Sequence, residues 1–237
     1  MTLAVDGADQ LNRPRRRRQL YGRRVGRALT DDLERLIATR LPPLRLDLSR
    51  PPPEPLSGIF TSPVEDVWLE IGFGGGEHLF WQAEHRRSIG FIGCEPFLNG
   101  VSSLLGLIQQ DRPQNIRVFP EDARLLLDAL PDLCLGRCFV LFSDPWPKKR
   151  HHRRRFIGRE NLDRLSRTMR KGAELRLATD HPELAEWMQD QLAQHPGFLL
   201  AEDAVRRERP AEWPETRYEQ KAIKGGRAPF YFSAHAC

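Results

Sequence analysis

The sequence predicts an α/β fold built on a mostly parallel, twisted sheet with helices on both faces. Three observations carry that expectation. From about residue 64, short apolar runs alternate with amphipathic stretches, the pattern of strand–helix–strand units. One run, Cys138 to Phe142, is strongly apolar, as a strand covered on both faces is. A glycine-rich turn, Gly72 to Gly76, comes directly after the first run, and sheets of this class hold ligands at the carboxyl ends of their strands.

Each element has a local reason. Residues 1 to about 30 are polar and arginine-rich without sustained periodicity and read as a flexible extension. Thr30, Asp31 and Asp32 open a helix with carboxylates in its first turn. Leu33, Leu36, Ile37 and Leu41 keep helical spacing until Pro42 and Pro43 stop it. Residues 49–58 form a proline-rich connection expected to be neither helix nor strand. The chain is therefore divided at residue 58, with a basic extension (1–58) before a main domain (59–237). In that domain strands are expected at Val67–Ile71, Ile89–Cys94, Ile116–Phe119, Cys138–Phe142, Ala173–Ala178, Phe198–Ala201 and Phe230–Phe232. Helices are expected at Glu77–Glu84, Phe97–Gln109, Ala123–Ala129, Arg159–Met169 and Glu183–Gln194.

Composition narrows the class. Hydrophobic residues are 40% of the 237 and charged residues 29%, an ordinary globular balance. No apolar run is long enough to span a membrane, and no secretory signal opens the chain, so a cytoplasmic protein is expected. Cys134 and Cys138 are spaced poorly for a zinc site, and neither Cys nor His pairs complete one. The four cysteines read as inert thiols, and no metal is expected. The net charge of +5 says less than its clustering. Arg13, Arg15 to Arg18, Arg23, Arg24 and Arg27 form one basic cluster and Lys148 to Arg155 another. Such clusters bind phosphate backbones by counterion release or simply stay solvated.

The motifs add chemistry. Glu70-Ile71-Gly72-Phe73-Gly74-Gly75-Gly76 departs from the dinucleotide fingerprint, because Glu77 stands where its third glycine belongs. Two carboxylates bracket the loop, so a phosphate-free cationic ligand such as S-adenosylmethionine suits it better. Glu95, at the tip of the second strand, can take both hydroxyls of a ribose. Asp122 comes after the third strand and can meet an adenine amino group, cap the next helix, or both. Phe142-Ser143-Asp144-Pro145-Trp146-Pro147 runs into Lys148-Lys149-Arg150-His151-His152-Arg153-Arg154-Arg155. Here a carboxylate and a stacking aromatic on a proline-stiffened loop join a polycationic segment. Asp180 faces the same cleft or caps a helix. Thr216-Arg217-Tyr218-Glu219-Gln220-Lys221 is either a purine-reading loop or an ordinary polar one.

These motifs resemble the tRNA (guanine-N7-)-methyltransferases, over about residues 20–232. Its most specific parts are Glu70 to Gly74, Asp144 to His151 and Thr216 to Glu219. The resemblance implies a Rossmann-like methyltransferase fold and, as substrate, a guanine of the tRNA variable loop. It also implies that Glu70, Gly72, Gly74, Glu95, Asp122 and Asp144 line the S-adenosylmethionine site, with Asp144 the catalytic carboxylate. Lys148, Asp180, Thr216, Arg217, Tyr218 and Glu219 would contact the substrate guanine. Arg150 to Arg155 would hold the tRNA backbone, an inference resting on charge more than on motif. The protein is expected to act as a monomer or homodimer. Two alternatives stand beside this reading, a small-molecule Rossmann-type enzyme and a non-catalytic RNA-binding protein on a methyltransferase scaffold.

Overall fold

The computed structural model describes residues 30–108 and 113–237, the side chains of residues 201–203 excepted. The arginine cluster before residue 30 and the expected helix end at Gln109 lie outside the described residues. Helix α1 (Asp31–Arg40) starts after Thr30 as expected, with Asp31, Asp32 and Glu34 in its first turn. Strands β1 (Asp66–Ile71), β2 (Ile89–Cys94) and β3 (Ile116–Phe119) alternate with α2 (Glu77–His85) and α3 (Leu98–Leu107). Then come α4 (Ala123–Ala129), β4 (Leu135–Leu141), α5 (Arg159–Thr168), β5 (Met169–Thr179) and α6 (Pro182–Ala193). Finally β6 (Phe198–Arg206) and β7 (Phe230–Ala236) flank α7 (Arg217–Lys224).

The seven strands form one sheet in the order β3-β2-β1-β4-β5-β7-β6. β1 pairs parallel with β2 and β4, and β5 parallel with β4. β7 runs antiparallel between β5 and β6. Strand order reverses between β1 and β4, which opens a crevice at their carboxyl ends.

Side-chain alternation sorts the core onto two faces. Leu69, Ile71, Cys138, Val140, Leu175 and Leu177 face α4, α5 and α6, meeting Leu126, Leu162, Leu165 and Met188. Trp68, Phe91 and Phe139 face α2 and α3, meeting Leu79, Val101 and Leu104. The proline-rich stretch differs from the loop expected. Leu56–Ile59 closes a 3-10 turn, and Leu46, Leu56 and Phe60 are buried in the core that also holds Leu126 and Leu127 of α4. Among the described residues, the composition change at residue 58 is thus not a break in packing. The segment Thr216–Lys221 also differs: it is the start of α7, not a loop. Thr216 Oγ1 accepts the Glu219 backbone N–H at 3.2 Å, the first half of a capping box that the spacing Thr-x-x-Glu encodes.

Candidate active site

Four segments build the crevice, one leaving the carboxyl end of each of β1, β2, β3 and β4. After β1 the chain turns through Gly72 (φ +73°) and Gly74 (φ +57°), left-handed conformations that glycine adopts without a Cβ penalty. Gly74 donates its backbone N–H to Glu95 Oε2 at 2.9 Å, and Phe97 donates to Glu95 Oε1 at 2.9 Å. The Glu95 carboxylate thus ties the glycine turn to the start of α3 and keeps lone pairs on both oxygens for further donors. Burial pushes its carboxyl up; the two N–H bonds oppose this, and the negative charge of Asp144 adds to the rise. Gly100 of α3 makes the close approach possible, because a Cβ there would stand 2.2 Å from the Gly74 carbonyl oxygen.

Asp122 combines both expected roles. It caps α4 by accepting the Arg124 backbone N–H at 2.9 Å, and it lines the crevice. Arg124 also grips it through the side chain, Nε at 2.9 Å and Nη2 beside it, and lines the same space. No sequence motif points to Arg124.

Asp144 stands on the loop after β4, exposed at the crevice mouth. The walls around it still crowd out enough water to raise its carboxyl. Phe142 (φ +53°) and Trp146 (φ +44°) bracket it in the left-handed region, where non-glycine residues persist only if their surroundings over-determine them. Gly72, Glu95, Asp122, Asp144, Trp146 and Tyr218 line one cleft of about 400 Å³, within the range of small-molecule sites.

The basic run is a 3-10 helix, Lys149–Arg154, and it does not act as one block. Lys148, Arg150 and Arg153 are exposed; Arg153, Arg154 and the buried Arg155 line the cleft. Arg154 sits over the Trp146 ring at 4.9 Å, and the ring also lines the cleft. His151 meets the Trp146 ring edge-on, and desolvation with the cations of Arg154 and Arg150 lowers its pKa. His152 and Arg155 differ from the expectation of backbone contacts. His152 packs on Trp187, and its Nε2 lies 3.1 Å from Glu183 Oε1. The Arg155 side chain is 1% exposed and pairs with the same oxygen at 2.9 Å.

Four other expected residues, Glu70, Asp180, Thr216 and Glu219, are not among those that line the cleft. Glu70 lies inside β1 and is 3% exposed; its Oε2 meets His78 Nδ1 at 2.7 Å. Glu219 is buried, accepts from Tyr231 Oη at 2.6 Å and pairs with Arg209 at 3.2 Å. Thr216 is spent on the α7 cap. Asp180 pairs with Arg227 at 2.8 Å. Tyr218 alone of its segment lines the cleft, packed so close to Gly74 that a Cβ there would meet its ring at 2.7 Å. Arg217 stacks over Tyr218 at 5.1 Å and reaches Glu77 at 3.6 Å.

All four cysteines are free. Cys94 and Cys138 are buried, and burial pushes the Cys134 thiol up to about 12. Cys237 is exposed. Among the described residues no group of three or more His, Cys, Asp or Glu side chains is arranged to hold a metal, and no helix is long and apolar enough to cross a membrane.

Residues 65–231 match the family described as "Putative methyltransferase". The tRNA (guanine-N(7)-)-methyltransferase of Paramagnetospirillum magneticum is 51% identical over 236 residues, covering 97% of this chain and 95% of that one. The protein of the same name from Rhodospirillum rubrum is 47% identical over 221 residues, 90% of this chain and 86% of its own. Among solved structures, the 16S rRNA methyltransferase KamB is similar with a TM-score of 0.55 at 19% identity, over 73% of this chain and 89% of that one, a likeness of fold alone. A Rossmann-like sheet with its acids at the carboxyl edge, and identity of this depth along nearly the whole chain, lead to one conclusion: the chain belongs to the tRNA (guanine-N(7)-)-methyltransferase family.

Proposed function

We propose that this chain transfers a methyl group from S-adenosylmethionine to N7 of a guanine in the variable loop of tRNA, acting in the cytoplasm. One observation carries the proposal. Glu95, Asp122 and Asp144 come after three different strands and converge on one cleft whose outer wall is cationic. A polyanion alone gains nothing from three carboxylates, and a phosphate-bearing cofactor is repelled by them. Neither the small-molecule enzyme nor the non-catalytic RNA-binding protein gains any support from this arrangement.

The residues present fit the cofactor. Beyond its chain neighbours, no protein atom lies within 4 Å of a Cβ position at Gly72, so a ligand can approach that backbone. Glu95 has acceptor capacity left for ribose hydroxyls; Asp122, whose two oxygens already accept from the Arg124 backbone and side chain, would take an adenine amino group only by sharing an oxygen with Arg124. When bound, S-adenosylmethionine supplies the methyl group as an electrophile. Guanine N7 carries a lone pair and no proton, so none of these residues needs to act as a base. What they supply is orientation and a suitable field. Asp144 holds negative charge beside the purine, which favours the positive charge that methylation leaves there. Tyr218 and Trp146 bound the space open to the base. Lys148, Arg150 and Arg153 stay available to tRNA phosphates, and Arg154 joins them from above Trp146. The inward His152, the core-paired Glu70 and Glu219, and the capping Thr216 support the site from behind, while the buried Arg155 joins the cleft wall to Glu183.

The test is incubation of the purified chain with unmodified tRNA and labelled S-adenosylmethionine, and then mapping of alkali-sensitive 7-methylguanine. Label confined to a variable-loop guanine is expected. No transfer, or transfer to another base, ends the proposal.

A further inference from the structure

Arg155 closes the basic run in sequence and leaves it in space. Its Nε donates to the Pro145 carbonyl at 3.0 Å, one residue beyond Asp144. Its Nη2 donates to Glu183 Oε1 at 2.9 Å, in the first turn of α6. The guanidinium lies over the Trp187 ring at 5.2 Å, and Trp187 in turn donates its Nε1–H to the Ile157 carbonyl. We propose that Arg155, with Glu183 as its counter-ion, is a positioning residue for methyl transfer, fixing the backbone of the loop that carries Asp144.

Three facts make the loop dependent on such a restraint. Asp144 takes no hydrogen bond or ion pair among the described residues, so its backbone sets where its charge lies. The loop runs between Phe142 and Trp146, both at positive φ, and that geometry needs an outside hold. The carbonyl Arg155 grips belongs to the peptide that sets the φ of Trp146. A forked guanidinium can hold that carbonyl and a carboxylate together; an ammonium on a flexible stem cannot keep both in register. Burial also denies Arg155 to a phosphate.

The inference rests on the function proposed above, and the experiment separates the two. Arg155→Met, Arg155→Lys and Glu183→Gln are compared with the parent chain in three measurements. These are S-adenosylhomocysteine affinity, the salt dependence of tRNA affinity, and the single-turnover transfer rate at saturating tRNA. For Arg155→Met the rate is expected to fall about 10- to 100-fold, the scale of a misplaced reacting group. Cofactor affinity should stay within about threefold, and the salt slope should not change. Arg155→Lys should recover part of the rate. Glu183→Gln, at a side chain 49% exposed, keeps the test alive if Arg155→Met does not fold, and should lose rate in the same way. Its loss should be less than additive with that of Arg155→Lys. A salt slope that drops by about 0.7–0.9, the mark of one lost phosphate contact, overturns the proposal, and so does an unchanged rate. An inactive parent chain would instead sink the function itself.

Discussion

Replacing Gly100 by alanine tests how closely α3 must approach the glycine turn. On helix propensity alone the change stabilises by about 0.8–1 kcal/mol. The structure predicts the opposite sign. The new Cβ would stand 2.2 Å from the Gly74 carbonyl oxygen and 3.1 Å from its carbon, well inside the ordinary contact distance of about 3.5–4 Å. A backbone carbonyl cannot swing aside as a side-chain tip can, so α3 must retreat by roughly 1 Å. Overpacking of this kind costs about 1–3 kcal/mol. Set against the propensity gain, it leaves a net loss of up to about 2 kcal/mol, or a fall in Tm of up to about 4–8 °C for a chain of this size. Because Glu95 is held from both sides by Gly74 and Phe97, S-adenosylhomocysteine affinity should fall about tenfold or more. Gly106, on the exposed side of the same helix with nothing within 4 Å of its Cβ position, is the control. Gly106→Ala should raise Tm by about 2–4 °C and leave the affinity alone. Thermal unfolding and equilibrium binding of both variants decide it. A Gly100→Ala protein as stable and as tight-binding as Gly106→Ala would refute the packing argument.

The acids of the site and the buried Glu219 carry three more expectations. Asp144→Ala should keep cofactor and tRNA affinity while single-turnover transfer falls about 10²–10³-fold; full-rate transfer removes Asp144 from the mechanism. Burial raises both Glu95 and Asp144, so the acid limb of the rate profile should lie above the ordinary carboxylate range of about 3.9–4.3. The linkage has a matching sign: with folded pKa values raised, the contribution of these groups to stability falls as pH rises through them, and a rate titration with its limb in the ordinary range refutes the assignment. Glu219→Ala should lower stability by about 1–3 kcal/mol through the stranded Tyr231 hydroxyl. Urea unfolding checks this, and a variant of parental stability with a raised tRNA KM would return Glu219 to substrate contact.

The sheet is largely legible in the sequence because parallel strands and their helices announce themselves by period. The boundaries at Ile116–Phe119 and Ala123–Ala129 agree to the residue with β3 and α4. The strand after Cys134 begins three residues earlier than its apolar run, because Leu135–Arg137 pairs across an irregular register with β5, where the half-buried Gly136 and Arg137 separate the buried Leu135 from the apolar run. α7 escapes the periodicity although Arg217–Lys224 is rich in helix formers and its cap is visible as Thr-x-x-Glu. Its mixture of donors, an acceptor and an aromatic reads instead as a polar or purine-reading loop.

The acids of the site can be found by type, but type does not say which way a carboxylate points. Position relative to the strand end does. Glu95 stands one residue beyond β2, Asp122 three beyond β3, and Asp144 three beyond β4. Past the last ladder pair, a side chain is free to project over the sheet's edge, and all three reach the cleft. Glu70 is the next-to-last residue of β1, paired in register with Gly93 and Phe139. Inside a strand a side chain must enter one helical layer or the other. Glu70 enters the layer of α2, where His78 satisfies it. The strand expected from sequence, Val67–Ile71, already contains Glu70, so the rule needs no coordinates. On the same rule Glu70 would influence a cofactor only indirectly, through its bond to His78 at the start of α2. Glu70→Gln, which keeps the shape and one acceptor, should therefore weaken S-adenosylhomocysteine binding less than Glu95→Gln does. Titrations showing the reverse order would mean that Glu70 reaches the ligand directly and that position past the strand end is not what selects these acids.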